Sequence, residues 1–180
     1  MSGRQGAAVS RDGTFDAFDL CARRAALEGI VDATTLPRMA DGVAEEGGPA
    51  RVAWRIEGTA DALGRPALEI GLDGIVPLEC QRCLAPFEGP VAQRTLLLLA
   101  RDERELARLD GEAEYEVVLA SVPLDALELV EDELLLTLPF APRCERPECV
   151  GAATAPGAAE ERTSAFGALA GLKPAPKTGK

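Results

Sequence analysis

Four of the chain's five cysteines stand in two close pairs. Cys80 and Cys83 have C-x2-C spacing in "LECQRCLAPF", and Cys144 and Cys149 have C-x4-C spacing in "APRCERPECV". Two to four intervening residues let a tight turn aim two thiolates at one tetrahedral ion. If one ion takes both pairs, the roughly sixty residues between them must return the chain to where they began. The chain has no histidine, so the imidazole ligands that zinc often takes are absent. Zinc suits such a set, and four thiolates close its shell, so the site would hold structure and leave no open position for chemistry. Pro86 follows the first pair, and Pro142 and Pro147 bracket the second, as turns require. Two other readings stand beside this one. A C-x2-C pair can be a redox couple, but that chemistry works best with the first cysteine at a helix N-terminus, and here the pair ends a strand. The thiols can also be small apolar groups packed at the base of a sheet. Cys21, alone on a helical stretch, reads as a core residue with no assigned role.

Hydrophobic periodicity supplies the elements. "TFDAFDLCARRAALEG" reads as a helix capped by Asp16 or Asp19 and stopped at Gly29. "TTLPRMADGV" reads as a second, short helix capped by Thr34 or Thr35. Val52, Trp54 and Ile56 alternate with Ala53, Arg55 and Glu57, a half-buried strand. Leu68, Ile70 and Leu72 repeat the pattern, Asp73-Gly74 suggests a turn or bulge, and strand text resumes through Leu78. After the first cysteine pair, residues 89–100 give another strand, so the order is strand, C-x2-C, strand. "RDERELARLDGEAE" is a charged helix or exposed loop, and "YEVVLA" a short strand. "PLDALELVEDELLLTLP" reads as a helix between Pro123 and Pro139, with Leu127, Val130, Leu134 and Leu138 on its apolar stripe, and its last part, "LLLTLP", also suits a strand. The expected fold is α+β: an antiparallel sheet, able to curl toward a barrel, flanked by N-terminal and C-terminal helices. Residues 1–13 read as a disordered N-terminus, 14–149 as one domain, and 150–180 as a flexible tail with the short terminal segment "FGALAGLK".

The charge is lopsided, with 30 acidic against 19 basic residues and a net charge of −11. Broad gripping of a phosphate backbone relies on Lys and Arg, so this balance argues against it and favours docking on a basic partner. Between Arg108 and Arg143 there is no Lys or Arg, while acids accumulate. Asp125, Glu128 and Asp132 share one side of the predicted helix with Leu129 and Leu136; the two leucines read either as a second buried contact within the domain or, with the acids, as a docking strip for a basic partner. Arg82 and Arg94 are the candidates for a local RNA contact. There is no Ser-His or Cys-His arrangement, no HExxH and no phosphate-binding loop, so no catalytic residue, small-molecule substrate or organic cofactor is assigned. The N-terminal segment lacks the apolar run of a secretion signal, and no stretch approaches a membrane span, so the chain reads as cytoplasmic.

Taken in order, "VPLECQRCLAPFEGPV", "LELVEDELLLTLPFAPRCERPEC" and "FGALAGLK" resemble the YceD family, the large ribosomal RNA subunit accumulation proteins. The resemblance implies a cytoplasmic, non-enzymatic ribosome-biogenesis factor, supporting synthesis, processing or stability of large-subunit (23S) ribosomal RNA. Its partner would be that RNA or its precursor, directly or indirectly; the acidic charge and acidic helix add a basic ribosomal protein or assembly factor. The cysteine positions Cys80, Cys83, Cys144 and Cys149 carry over with it. The alternative is a thiol-redox or RNA-processing enzyme centred on Cys80 and Cys83.

Overall fold

Alternation writes the sheet. In β3 (Arg51–Ala60), Val52 and Ile56 are buried while Arg51 and Ala53 face solvent. In β4 (Pro66–Glu79), Leu68, Ile70, Leu72, Val76 and Leu78 are buried in the same rhythm. With β2 (Ala26–Asp32), β5 (Pro86–Ala100) and β6 (Val117–Leu119) they form a five-stranded sheet in the order β2-β3-β4-β5-β6. The pairings are antiparallel except β5–β6, which is parallel. β2 and β6 are edges that do not meet, so the α+β class holds but the sheet stays open and no barrel forms. The computed structural model describes residues 13–39, 42–44, 47–112 and 114–149. The readings of residues 1–12 and of the 150–180 tail lie outside them. Two units divide the chain, Met1–Cys144 and Glu145–Lys180, and the sheet belongs to the first.

Around the sheet, β1 (Thr14–Phe15) pairs with β7 (Leu124–Asp125) in a two-stranded ladder. α1 (Ala17–Arg23) packs on β3 and β4, and α3 (Ala126–Thr137) on β4 and β5. Leu20, Ile56, Leu68, Ile70, Val130 and Leu134 are among the fully buried side chains of the core. Gly58 explains how close α1 can come. A Cβ there would lie 2.4 Å from the Leu20 carbonyl, so the helix backbone rests directly on β3. The segment "RDERELARLDGEAE" resolves as a helix, α2 (Glu103–Glu112), started by Asp102, whose Oδ1 accepts the Glu105 N–H at 2.8 Å.

Three local readings are corrected. The first helix does not run to Gly29. Asp16 caps it by accepting the Asp19 N–H at 2.9 Å, and it ends at Arg24, whose φ of 49° is left-handed. The next residues alternate, and β2 sets Leu27 opposite Ile56 and Val31 opposite Val52. The second helix shrinks to one 3-10 turn, Ala33–Thr35, capped by Asp32 instead of a threonine. Asp73-Gly74 is neither turn nor bulge, because β4 runs through it with Gly74 opposite both Val52 and Val91. Glycine is needed there because a Cβ would meet the Arg51 carbonyl oxygen at 2.4 Å.

Candidate metal centre

β4 and β5 form one long hairpin, and Cys80 to Ala85 are its tip. The Cys80 N–H donates to the Ala85 carbonyl at 3.1 Å, and the Leu84 N–H returns to the Cys80 carbonyl at 2.8 Å. Turns of this kind favour glycine after the second cysteine. Here Leu84 itself takes the left-handed conformation, with φ 55°. The second limb arrives from α3. The Gln81 N–H donates to the Pro142 carbonyl at 2.8 Å, and the Arg82 guanidinium to the Cys144 carbonyl at 2.8 Å. The Cys144 N–H points at the Cys80 sulfur, 3.3 Å away. Backbone bonds thus hold 142–144 against the hairpin tip.

These bonds gather three thiols. The sulfurs of Cys80, Cys83 and Cys144 lie within 4.8 Å of one another, and the Cys83 and Cys144 sulfurs are 3.7 Å apart. A tetrahedral zinc–sulfur shell with bonds of about 2.3 Å places its sulfurs about 3.8 Å apart. The residues therefore fit a thiolate-bound zinc ion. All the cysteines are free thiols. Cys80 and Cys144 are buried, while Cys83 is exposed. The Cys80 thiol is lowered to about 5. Backbone N–H groups of Cys144 and Cys83 stabilise its thiolate, against the cost of burial, and the Arg82 N–H and Cys144 thiol add to them. A sulfur ionised at neutral pH and wrapped in N–H donors is prepared as a ligand. Bound zinc would cross-link the hairpin tip to the chain that follows α3. No helix begins at Cys80, which removes the usual setting of a C-x2-C redox couple.

Cys149 belongs to the second unit, of which residues 145–149 are described. It is buried, and its N–H closes a turn on the Arg146 carbonyl at 3.0 Å. Cys21 lies apart from the gathered thiols. Its sulfur donates to the Ala67 carbonyl at 3.1 Å, and burial pushes its thiol up.

The docking strip is redistributed. Asp125 is the N-cap of α3, accepting from the Leu127 and Glu128 N–H groups at 2.8 and 3.1 Å. Leu129 is buried in the core, whereas Leu127, expected on the buried stripe, is exposed. Glu128 is exposed, and Leu136 is 69% exposed. Asp132 pairs with Arg38, which also grips the buried Glu131 through its backbone N–H and its guanidinium. Sequence spacing could not show this, because Arg38 comes from a distant loop. Also missed is a groove of about 870 Å³ of mixed polarity beside the hairpin tip, lined by Met39, Leu78, Glu79, Gln81, Leu84 and Phe140 among others. Phe140 is fully exposed at its rim. Of the two candidate RNA-contact arginines, Arg82 is committed to the Cys144 carbonyl, and Arg94 is exposed with only a loose pairing to Glu69 at 3.8 Å.

A family model described as "Large ribosomal RNA subunit accumulation protein YceD" matches residues 68–173. That span is more than half of the chain and holds β4 from Leu68 onward, β5, α3 and all four paired cysteines. The chain belongs to this family. No curated protein and no solved structure matches it. The YceD family's description names the accumulation of an RNA, which ties the chain to large-subunit ribosomal RNA and names no reaction. None of the described helices is long and apolar enough to cross a membrane.

Proposed function

We propose that the protein is a cytoplasmic ribosome-biogenesis factor that supports synthesis, processing or stability of 23S ribosomal RNA through protein contacts and without catalysis. Its working domain would run from residue 14 to 149. A structural zinc ion, held by Cys80, Cys83, Cys144 and Cys149, would fasten the β4–β5 hairpin to the chain leaving α3. Cys149 is assigned as fourth ligand on its C-x4-C spacing from Cys144. The observation that carries the reading is the gathering of thiols inside the span that the YceD family matches.

The docking partner in this reading is a basic ribosomal protein or assembly factor. Asp125 and Leu129 are used within the fold, and Asp132 is shared with Arg38. Glu128 and Leu136 remain as the part of the strip that a partner can reach. The net charge of −11 supports protein docking over direct RNA gripping. Capture from cells, with RNA and proteins both identified, tests it. The expected catch is a basic large-subunit protein, lost with Glu128→Lys and Leu136→Glu. Tight binding of purified protein to 23S RNA, falling steeply with salt and indifferent to those substitutions, overturns it.

One observation favours a second reading, thiol-redox or RNA-processing catalysis at Cys80 and Cys83: the lowered Cys80 thiol. Cys80→Ser with Cys83→Ser separates the two. The structural reading expects lost metal and a lower melting temperature. The enzymatic reading expects a folded protein lacking only its activity.

A further inference from the structure

Cys83 differs from its two neighbours in one respect. It is exposed, while Cys80 and Cys144 are 0% and 3% exposed. Its sulfur sits 3.7 Å from that of Cys144. The Cys80 sulfur, which accepts the Cys144 N–H at 3.3 Å, is closed off from solvent, so a peroxide in solution meets Cys83 first. We propose that Cys83 is an oxidation site for hydroperoxides, with Cys144 as the resolving thiol. The proposal rests on reading the paired cysteines as a clamp, and adds to it a chemical means of exchanging one cross-link for another.

The chemistry balances with a hydroperoxide as the sole co-reactant. The Cys83 thiolate attacks the terminal peroxide oxygen. An S–O bond forms, the O–O bond breaks, and the departing oxygen takes a proton from solvent. The Cys144 thiolate then attacks the Cys83 sulfur. The S–S bond forms, the S–O bond breaks, and hydroxide leaves as water with a second proton. Two electrons pass from the thiolates to the peroxide. The sulfurs need to close by roughly 1.7 Å to reach a bond of about 2.05 Å. The product removes two thiolates from the donor set, so a bound metal ion is released. The hairpin tip stays tied to residue 144 by a covalent bond in its place.

The full-length protein tests this directly. One equivalent of hydrogen peroxide is added, remaining thiols are alkylated, and the digest is mapped by mass spectrometry. Trypsin cuts after Arg82, so Cys80 and Cys83 fall on different peptides, and fragmentation separates Cys144 from Cys149. The expected product links Cys83 to Cys144, costs two of the five thiols, and leaves Cys21 and Cys80 alkylated. Zinc should appear in a metallochromic assay at the same rate. A Cys80–Cys83 link, or a Cys83 still alkylated after other thiols are consumed, overturns the proposal. The wild-type map decides the matter even if Cys83→Ser fails to fold. Protein that carries no metal and takes up none when zinc is added, yet forms the Cys83–Cys144 link, sinks the zinc reading and supports this one. Metal-loaded protein that resists peroxide at Cys83 does the reverse.

Discussion

Two glycines of the same sheet allow a controlled test of how α1 is seated. Gly58 faces α1 so closely that a Cβ would lie 2.4 Å from both the carbonyl carbon and oxygen of Leu20, and 2.5 Å from the Cys21 nitrogen. Ordinary contact begins near 3.4 Å, so Gly58→Ala must push the α1 backbone off β3 by about 1 Å. All three obstructing atoms are backbone, and no side-chain rotation relieves them. Overpacking of this kind costs about 1–3 kcal/mol. At this chain length each kcal/mol lowers the melting temperature by about 2–4 °C. Gly71, on the neighbouring strand, has nothing within 4 Å of a Cβ, so Gly71→Ala should stay within about 0.5 kcal/mol of wild type. Urea unfolding followed by the emission of Trp54, the chain's single tryptophan, reads both variants. Its ring packs over Gly29, where a Cβ would lie 2.8 Å away, so the probe reports on the intact sheet. Equal destabilisation by the two substitutions would refute the argument that backbone contact at Gly58 sets the position of α1.

Further outcomes follow from the site and from α3. With the proposed zinc clamp, Cys144→Ser should abolish stoichiometric zinc, read by elemental analysis, and lower the melting temperature, whereas Cys21→Ser should leave the zinc content unchanged. The two buried acids of α3 should respond to pH in opposite senses. Burial raises Glu131, but the Arg38 N–H and guanidinium outweigh it and leave it lowered, so its contribution is present above the ordinary glutamate range and lost as pH falls through its folded value. Glu131→Gln should therefore lower the melting temperature at pH 7, with the deficit fading in acid. Burial raises Glu133, opposed by a Thr95 hydrogen bond and helped by Glu116 and Asp132, so its contribution is fully present in acid and lost as pH rises through its folded value. Glu133→Gln should raise the melting temperature at pH 7, with the gain vanishing in acid. Phe140→Ser removes a fully exposed ring and should shift stability by less than about 0.5 kcal/mol in urea titrations.

The sheet and the hairpin carrying Cys80 and Cys83 were legible because their signal is local. Leu68, Ile70 and Leu72 face one way, and the reading of strand, C-x2-C, strand is β4, its tip and β5. The first helix was overextended because Leu20 and Leu27 suit a helical period, while Leu27, Gly29 and Val31 also suit a strand. Pairing with Val52, Trp54 and Ile56 decided between them, and that is a tertiary fact. The existence of α3 was legible, but its buried face was not. Glu131 and Glu133 both turn inward, accommodated by Arg38 and Thr95 from elsewhere in the chain. A rule that sends carboxylates to solvent rotates the helix the wrong way, exchanging Leu127 for Leu129. For the cysteines, spacing indicated which residues belong together. It carried no sign of the exposure that distinguishes Cys83.

The two limbs at the hairpin tip also impose an order of events on folding. The first is made from neighbouring strands, joined by only the residues from Cys80 to Ala85, so it closes with little loss of chain entropy. The second must wait until roughly sixty more residues have been made and α3 has docked, and closing that longer loop is the slower step. During synthesis from the N-terminus, Cys80 and Cys83 are thus displayed as a finished half-site before Cys144 exists. The bonds from Gln81 to Pro142 and from Cys144 to the Cys80 sulfur then serve as a latch that engages only after the rest of the sheet is in place.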